Sequence, residues 1–141
     1  MRRKLIVAAS VIAASFSQLY AGAPVNIAQL PKSAQTFLAE NFPGDAVRKA
    51  EMDRGFRGPE YEVDLMSGAE IEFRDNGDWK EVKAAKGCAV PSGIVPEAIA
   101  KFVADHFAGL AIEEIARKRG GYEVELSNGT ELKLTEDARP L

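Results

Sequence analysis

One segment of the chain occurs twice, and this repeat constrains the fold more than any other feature of the sequence. Tyr61–Phe73 (YEVDLMSGAEIEF) returns as Tyr122–Leu134 (YEVELSNGTELKL), with the same alternation of apolar and polar residues around a glycine. Alternation with a period of two, interrupted by a glycine-containing turn, predicts a β-hairpin with one buried face. Each copy therefore needs other parts of the chain to cover its apolar side.

The turn determines which residues of each hairpin face each other. A three-residue loop with glycine in the left-handed conformation is common in hairpins, and here it places apolar residues opposite apolar residues. The predicted cross-strand pairs are Tyr61–Phe73, Val63–Ile71 and Leu65–Ala69 in the first copy, and Tyr122–Leu134, Val124–Leu132 and Leu126–Thr130 in the second.

A further strand is predicted after the first hairpin. Asp75–Gly77 forms a second turn, which would place Phe73 opposite Trp79, Glu72 opposite Lys80 and Arg74 opposite Asp78. Asp75-Asn76-Gly77-Asp78 resembles the beginning of a calcium-binding loop, but the later ligands are missing, so a hairpin turn is the better interpretation.

A helix is predicted before each hairpin, because apolar residues recur at helical spacing between Pro31 and the helix-ending Pro43-Gly44. The second copy repeats these positions, since Pro31/Pro96, Phe37/Phe102, Phe42/Phe107 and Gly44/Gly109 are all 65 residues apart. The hairpins are 61 residues apart. The first copy thus has four extra residues, which we place in Arg54–Pro59 and expect to form a surface loop.

These patterns predict an α+β fold built by tandem duplication, with a helix followed by an antiparallel sheet of three to four strands in each repeat. A further strand is expected between helix and hairpin, at 46–53 and 110–117. Repeat 1 covers residues 30–83, a linker covers 84–94, and repeat 2 covers 95–141. Pro140 occupies the position of Trp79, so the last strand of repeat 2 is missing or reduced to a stub. The two sheets either join edge to edge or stay separate.

The N-terminus predicts export. Three cations, an apolar run and small residues are typical of a signal peptide in 1–21, with cleavage after Ala21 or Ala23. No membrane span is then expected in the mature protein, which we place in the periplasm or outside the cell. Loss of the three cations changes the formal charge from −3 to −6, which argues against nucleic-acid binding and is compatible with a basic protein partner.

Few residues of the chain are candidates for catalysis, metal binding or disulfide formation. Cys88 is the only cysteine, so no internal disulfide is possible; burial is the favoured interpretation, and a Cys88-linked dimer stays open. His106 is the only histidine and is interpreted as a packing residue. No nucleophile–base pair, metal motif or nucleotide fingerprint occurs. The sequence therefore predicts no catalytic, cofactor or metal site and no enzyme.

The predicted hairpin register brings like charges together on the outer side of the sheet. Glu62 faces Glu72 and Asp64 faces Glu70, and such pairs are mildly destabilising. These four carboxylates are the candidate partner-binding residues on the sheet. Phe56 and Arg57, in the predicted loop, complete the candidate set.

The residues also resemble a known family. The unit carried by Pro31, Phe37, Phe42, Tyr61, Val63, Leu65, Gly68, Glu70, Ile71, Phe73, Asp75, Gly77 and Trp79, and again from Pro96 to Leu134, is similar to the PepSY-like domains of exported bacterial proteins, also called putative β-lactamase-inhibitor-like. The resemblance implies a fold like that of β-lactamase inhibitory protein and a non-enzymatic role in binding or inhibiting a hydrolase or peptidase.

The first functional hypothesis is thus an exported protein-binding module of the cell envelope, acting as an inhibitor or regulator of a hydrolase or peptidase. It would bind through the sheet face and the loops at 54–59 and 84–93. The alternative is a sensory or regulatory module of the periplasm that takes up a small ligand or a peptide. That alternative predicts a concave apolar pocket between the repeats.

Overall fold

A computed structural model describes residues 22–141, and the predicted signal peptide lies outside them. The helices and strands, with a short 3₁₀ turn at Ile27–Gln29, are β1 (Ala23–Pro24), α1 (Lys32–Asn41), β2 (Val47–Gly55), β3 (Gly58–Leu65), β4 (Glu70–Phe73), β5 (Trp79–Lys83), α2 (Glu97–His106), β6 (Ile112–Lys118), β7 (Gly121–Leu126) and β8 (Glu131–Leu134). Pro31 and Pro96 directly precede the helices as N-caps.

The eight strands form one antiparallel sheet in which each strand pairs with its neighbours in the chain. The sheets of the two halves are joined edge to edge, because β5 pairs with β6 through Val82 and Ile115. The α+β class predicted from the sequence is confirmed, and of the two arrangements left open the chain adopts the continuous sheet.

Both helices cover the same face of the sheet. A row of fully buried apolar side chains crosses the strands on that face and consists of Val63, Ile71, Val82, Ile115, Val124 and Leu132. Ala34 and Leu38 of α1 and Ile99 and Val103 of α2 belong to the same core cluster. Since side chains alternate along a strand, the residues between these apolar positions point to the opposite face.

The predicted hairpin registers are confirmed. Tyr61 pairs with Phe73 and Val63 with Ile71 in the first copy, and the corresponding pairs form in the second. The amide of Leu65 donates to the carbonyl of Ala69 over 2.8 Å and closes the predicted loop. These registers depend only on local alternation and a glycine turn, which is why the sequence could predict them.

The predicted pairing of Glu72 with Lys80 is wrong. Phe73 does pair with Trp79, but a bulge then shifts the register so that Glu72 pairs with Glu81. Trp79 and Val82 are three residues apart and both are buried. Strict alternation would bury only one of them, and the extra residue of a bulge allows both to face the core.

The insertion in the first copy does not form the predicted loop at 54–59. Instead, β2 and β3 continue through it, Gly55 pairs with Gly58, and only Phe56 and Arg57 remain in the turn. The four extra residues lengthen two paired strands. Their backbone N–H and C=O groups can thus bond across the hairpin, whereas those of an open loop would depend on solvent. The strand predicted at 46–53 therefore ends at Gly55.

Two other expectations concern the connection and the end of the chain. Cys88 is exposed, contrary to the expected burial, because its turn directs Val90 rather than Cys88 into the core. After β8, the described chain makes one isolated bridge between Leu134 and Pro140. Both helices have ten residues and end at a phenylalanine C-cap.

Candidate binding face

The sheet face opposite the helices carries a row of glutamates. Across four neighbouring strands, β2 to β5, Glu51 pairs with Glu62, Glu62 with Glu72, and Glu72 with Glu81. We call these four residues the carboxylate row. Neighbouring strands lie about 4.8 Å apart, so each carboxylate has a like charge on the next strand.

A second row runs beside the first and mixes charges. It consists of Lys49, Asp64, Glu70, Lys83, Glu114, Glu125 and Glu131 on β2 to β8. The predicted outward pairs Glu62–Glu72 and Asp64–Glu70 thus both occur, and Glu125 pairs with Glu131 in the same way. The structure brings Glu62, Asp64, Glu70 and Glu72 together on one surface.

Ion pairs neutralise more of the carboxylates at the edges of this surface than at its centre. Lys49 lies 3.2 Å from Glu51, Arg48 donates to Asp64 over 3.1 Å, and Lys80 donates to Glu60 over 2.9 Å. Within residues 22–141, Glu62, Glu72 and Glu81 take part in none of the salt bridges. One oxygen of Asp64, Oδ1, is buried without a hydrogen-bond donor.

The protonation of the row follows from burial and repulsion. Burial, together with the charges of Asp64 and Glu72, raises the pKa of Glu62 to about 7. Burial and the charge of Glu81 likewise raise the pKa of Glu72 to about 7. Burial, followed by the charge of Glu114, raises the pKa of Glu81 to about 7. The centre of the face therefore binds protons near neutral pH.

Sequence reasoning missed Glu51, Glu81 and Glu114 as members of this face. Glu81 was missed because the bulge in β5 was not predicted; the spacing of three between Trp79 and Val82 is the signal that could have shown it. Glu51 and Glu114 lie on β2 and β6, whose registers with their neighbours the repeat pattern does not determine.

Phe56 and Arg57 lie elsewhere. They form the tip of the β2–β3 hairpin, and the Phe56 side chain is fully exposed. Phe56 is five residues beyond Glu51 along this hairpin, which corresponds to about 17 Å. Phe56 and Arg57 are therefore a separate feature beside the carboxylate row.

The part of the chain that the structure describes holds no group of three or more His, Cys, Asp or Glu side chains that converge on one point. The carboxylates of the row are spread along a line instead. Asp75–Asp78 forms the predicted turn, because the amide of Arg74 donates to the carbonyl of Asp78 over 2.8 Å. No helix within 22–141 has the length and apolar character that crossing a bilayer requires.

The profile of a family described as "Putative beta-lactamase-inhibitor-like, PepSY-like" matches residues 59–139, more than half of the chain. The chain belongs to this family. We call the surface formed by the carboxylate row and the second row the carboxylate face. The matched range begins in β3 and includes most of the residues of this face. The resemblance inferred from the sequence is confirmed.

Solved structures from two Bacteroides species share the fold. A putative periplasmic protein of the DUF2874 family from Bacteroides vulgatus is 36% identical, with a TM-score of 0.80 over 86% of this chain and 94% of that one. A putative calcium-regulated periplasmic protein from Bacteroides thetaiotaomicron is 35% identical, with a TM-score of 0.79 over 84% and 93%. A third, from Bacteroides vulgatus and of unknown function, is 29% identical, with a TM-score of 0.77 over 82% and 92%. Among curated proteins, none matches the chain.

Proposed function

We propose that the protein is an exported, non-enzymatic binding module whose carboxylate face docks a basic patch of a protein partner in the cell envelope. The carboxylate row carries this proposal, since Glu62, Glu72 and Glu81 face each other without a salt bridge within residues 22–141. Within residues 22–141, both helices pack on the other face, which leaves this face open to a partner.

The electrostatics of the row favour a cationic partner. Like charges on neighbouring strands destabilise the free protein, and a partner's Lys or Arg side chains would relieve this repulsion on binding. Complementary charge also accelerates association and excludes acidic competitors.

We further infer the finer architecture and role. Residues 30–83 and 95–141 are tandem copies of one unit, and their arrangement is similar to β-lactamase inhibitory protein. The family description supports a role as inhibitor or regulator of an envelope hydrolase or peptidase. Export and a periplasmic or secreted location are supported by the periplasmic proteins of similar structure.

The test is affinity capture from envelope extract with three baits. The first is the mature protein, the second carries Glu62→Lys and Glu70→Lys, and the third carries Glu40→Lys and Asp105→Lys. The third bait has the same change of charge, but on exposed helix positions. We expect one protein to be captured by the first and third baits, to be lost with the second, and to be released as salt increases.

Two results would contradict the proposal. Capture that persists with the Glu62→Lys, Glu70→Lys bait would remove the carboxylate face as the docking surface. Capture lost equally with both charge-reversed baits would indicate a nonspecific charge effect. If the captured protein is a hydrolase or peptidase, its activity with and without the mature protein then tests inhibition.

Calcium regulation is a second candidate, because one similar structure is described as putatively calcium-regulated and carboxylate oxygens are the ligands that Ca²⁺ prefers. On this chain, the row offers paired carboxylates and no cage, so Ca²⁺ would bind weakly between neighbours. Ca²⁺ should then raise the melting temperature more than the same concentration of Mg²⁺, and Glu72→Gln should reduce the difference. Equal effects of the two ions would exclude a specific role.

A further inference from the structure

A polar cleft of about 440 Å³ opens at the end of the sheet where the two halves of the molecule meet. The β4–β5 turn contributes Arg74, Asn76 and Asp78 to its wall, and the β6–β7 hairpin contributes Arg117 and Lys118. The cleft lies outside the carboxylate row. Its volume is within the usual range for sites of small ligands.

The cleft is positively charged in a chain whose formal charge is −3. Three cations line it, against the two carboxylates of Asp78 and Glu136. Within residues 22–141, neither Arg74 nor Arg117 forms a salt bridge, and the nearest carboxylate to Lys118 is Glu123 at 3.9 Å, the limit of an ion pair. The cations of the cleft thus retain hydrogen-bond donors for a ligand.

Arg117 is held in place by the core. Its guanidinium carbon lies 4.2 Å from the centre of the Trp79 ring, and Trp79 in turn lies beside Tyr122 with ring centres 6.3 Å apart. Trp79 is 8% exposed, so the surface beneath the guanidinium is part of the packed interior. The Nε–H of Arg117 is buried and has no acceptor. A buried donor without an acceptor is unfavourable, which favours an incoming anionic group.

We propose that this cleft binds a carboxylate group, supplied by the C-terminus of a peptide, by an acidic side chain or by a small organic acid. A guanidinium presents its donors in a planar fork that matches a carboxylate. Asp78 and Glu136 disfavour a doubly charged group such as phosphate more than a singly charged carboxylate. The inference does not depend on the proposed docking face, because the two sites share no residue.

The test uses Trp79 as an internal reporter, since it is the only tryptophan of the chain and contacts Arg117. The mature protein is titrated with acetyl-Ala-Ala, with the same dipeptide as its amide, with acetyl-Glu-amide and with inorganic phosphate. We expect a saturable change in Trp79 fluorescence with acetyl-Ala-Ala and none with its amide. Acetyl-Glu-amide shows whether a side-chain carboxylate is accepted as well as a peptide terminus.

Matched variants locate the site. Arg74 lies exposed on a turn and Lys118 is exposed at the end of β6, so Arg74→Gln and Lys118→Gln should fold normally and weaken binding by about tenfold each. Lys86→Gln removes an exposed cation outside the cleft and should leave binding unchanged. Arg117→Gln should abolish binding, with far-UV circular dichroism to check its fold.

Several outcomes would overturn the inference. They are the absence of a saturable response up to about 10 mM acetyl-Ala-Ala, an equal response to the amide, stronger binding of phosphate than of any carboxylate, and unchanged affinity in both Arg74→Gln and Lys118→Gln. A response that Lys86→Gln weakens as much as Arg74→Gln does would also overturn it, because it would reflect overall charge.

Discussion

At the scale of single residues, Gly77 shows how closely the β4–β5 turn and the start of α1 fit together. Gly77 is buried and has a φ of +89°, and the Ser33 hydroxyl donates to the carbonyl of neighbouring Asn76 over 2.8 Å. A Cβ atom on Gly77 would overlap the Ser33 hydroxyl and lie 2.9 Å from Cβ of Pro31. Only glycine permits both the left-handed backbone and this contact.

Gly77→Ala should therefore destabilise the protein by more than a left-handed glycine alone explains. We expect a loss of about 2–4 kcal/mol, of which about 1 kcal/mol is the backbone term. The control is Gly129→Ala, because Gly129 has a φ of +88° and no atom within 4 Å of the added Cβ. Urea unfolding of both variants gives the comparison, and equal losses would show that the turn and helix are not tightly packed.

At the scale of the elements, apolar packing on the helix-covered face stabilises the sheet, while repulsion between carboxylates on the opposite face destabilises it. Glu72 lies between Glu62 and Glu81 on the neighbouring strands, and all three have a pKa raised to about 7, primarily by burial. At neutral pH and above, the ionised row repels itself. The apolar row on the helix side offsets this repulsion.

Glu72→Gln should stabilise the protein at pH 8, because it removes a buried charge and two cross-strand repulsions while keeping the side-chain shape. We expect a gain of about 1 kcal/mol, reduced from the full pKa shift by solvent screening. At pH 5 the native carboxyl is already protonated, so most of the gain should disappear. Glu40→Gln, on the exposed side of α1, is the control. Urea unfolding at both pH values measures the effect, and a gain that persists at pH 5 would contradict it.

The same groups predict how the stability of the native protein depends on pH. A carboxyl whose pKa is raised on folding binds its proton more tightly in the folded state than in the unfolded state. Its contribution to the free energy of unfolding is therefore present at low pH and is lost as pH rises from about 4.5 to 7. The melting temperature should therefore decrease between pH 5 and pH 8, by about 3–6 °C for each kcal/mol of stability lost. Calorimetry checks this, and a melting temperature that rises over this interval would show that the row is compensated.

At the scale of the whole molecule, the two halves share one core. Val82 of the first half pairs with Ile115 of the second, and both are fully buried. The connection between them is also bonded to the second half, since the amide of Ala84 donates to the carbonyl of Glu113 and that of Val90 to the carbonyl of Ile112, each over 2.8 Å. Because neither half can bury its apolar residues alone, we expect cooperative unfolding.

Ile115→Ala should lower the stability of both halves together. The expected loss is about 2–5 kcal/mol, as for other buried Ile-to-Ala changes. Trp79 fluorescence reports on the contact between the halves, because Trp79 packs near Phe37 of the first and near Arg117 and Tyr122 of the second. Far-UV circular dichroism reports on the whole, and both should shift to the same lower midpoint. A shift in circular dichroism alone, with Trp79 unchanged, would show that the halves unfold independently.

Local pattern was sufficient for much of this molecule. The alternation in Tyr61–Phe73 and Tyr122–Leu134 determined both hairpin registers, and with them the facing pairs Glu62–Glu72 and Asp64–Glu70. Helical spacing and the flanking Pro and Gly residues located both helices. These features depend on neighbours a few residues apart, where turn geometry and the burial of one face leave few alternatives.

Only the tertiary structure decided the rest. The pairing of β5 with β6, which places Glu114 beside Lys83 on the carboxylate face and creates the cleft beside Arg117, joins residues more than thirty positions apart. Three further features likewise depend on which side chains are buried in the shared core. They are the bulge in β5, the extension of β2 and β3 through 54–59, and the exposure of Cys88. The sequence by itself determined each hairpin and helix, because their information is local. How these elements join into one sheet, and therefore which surface is available to a partner, depends on how distant segments pack together into a single core.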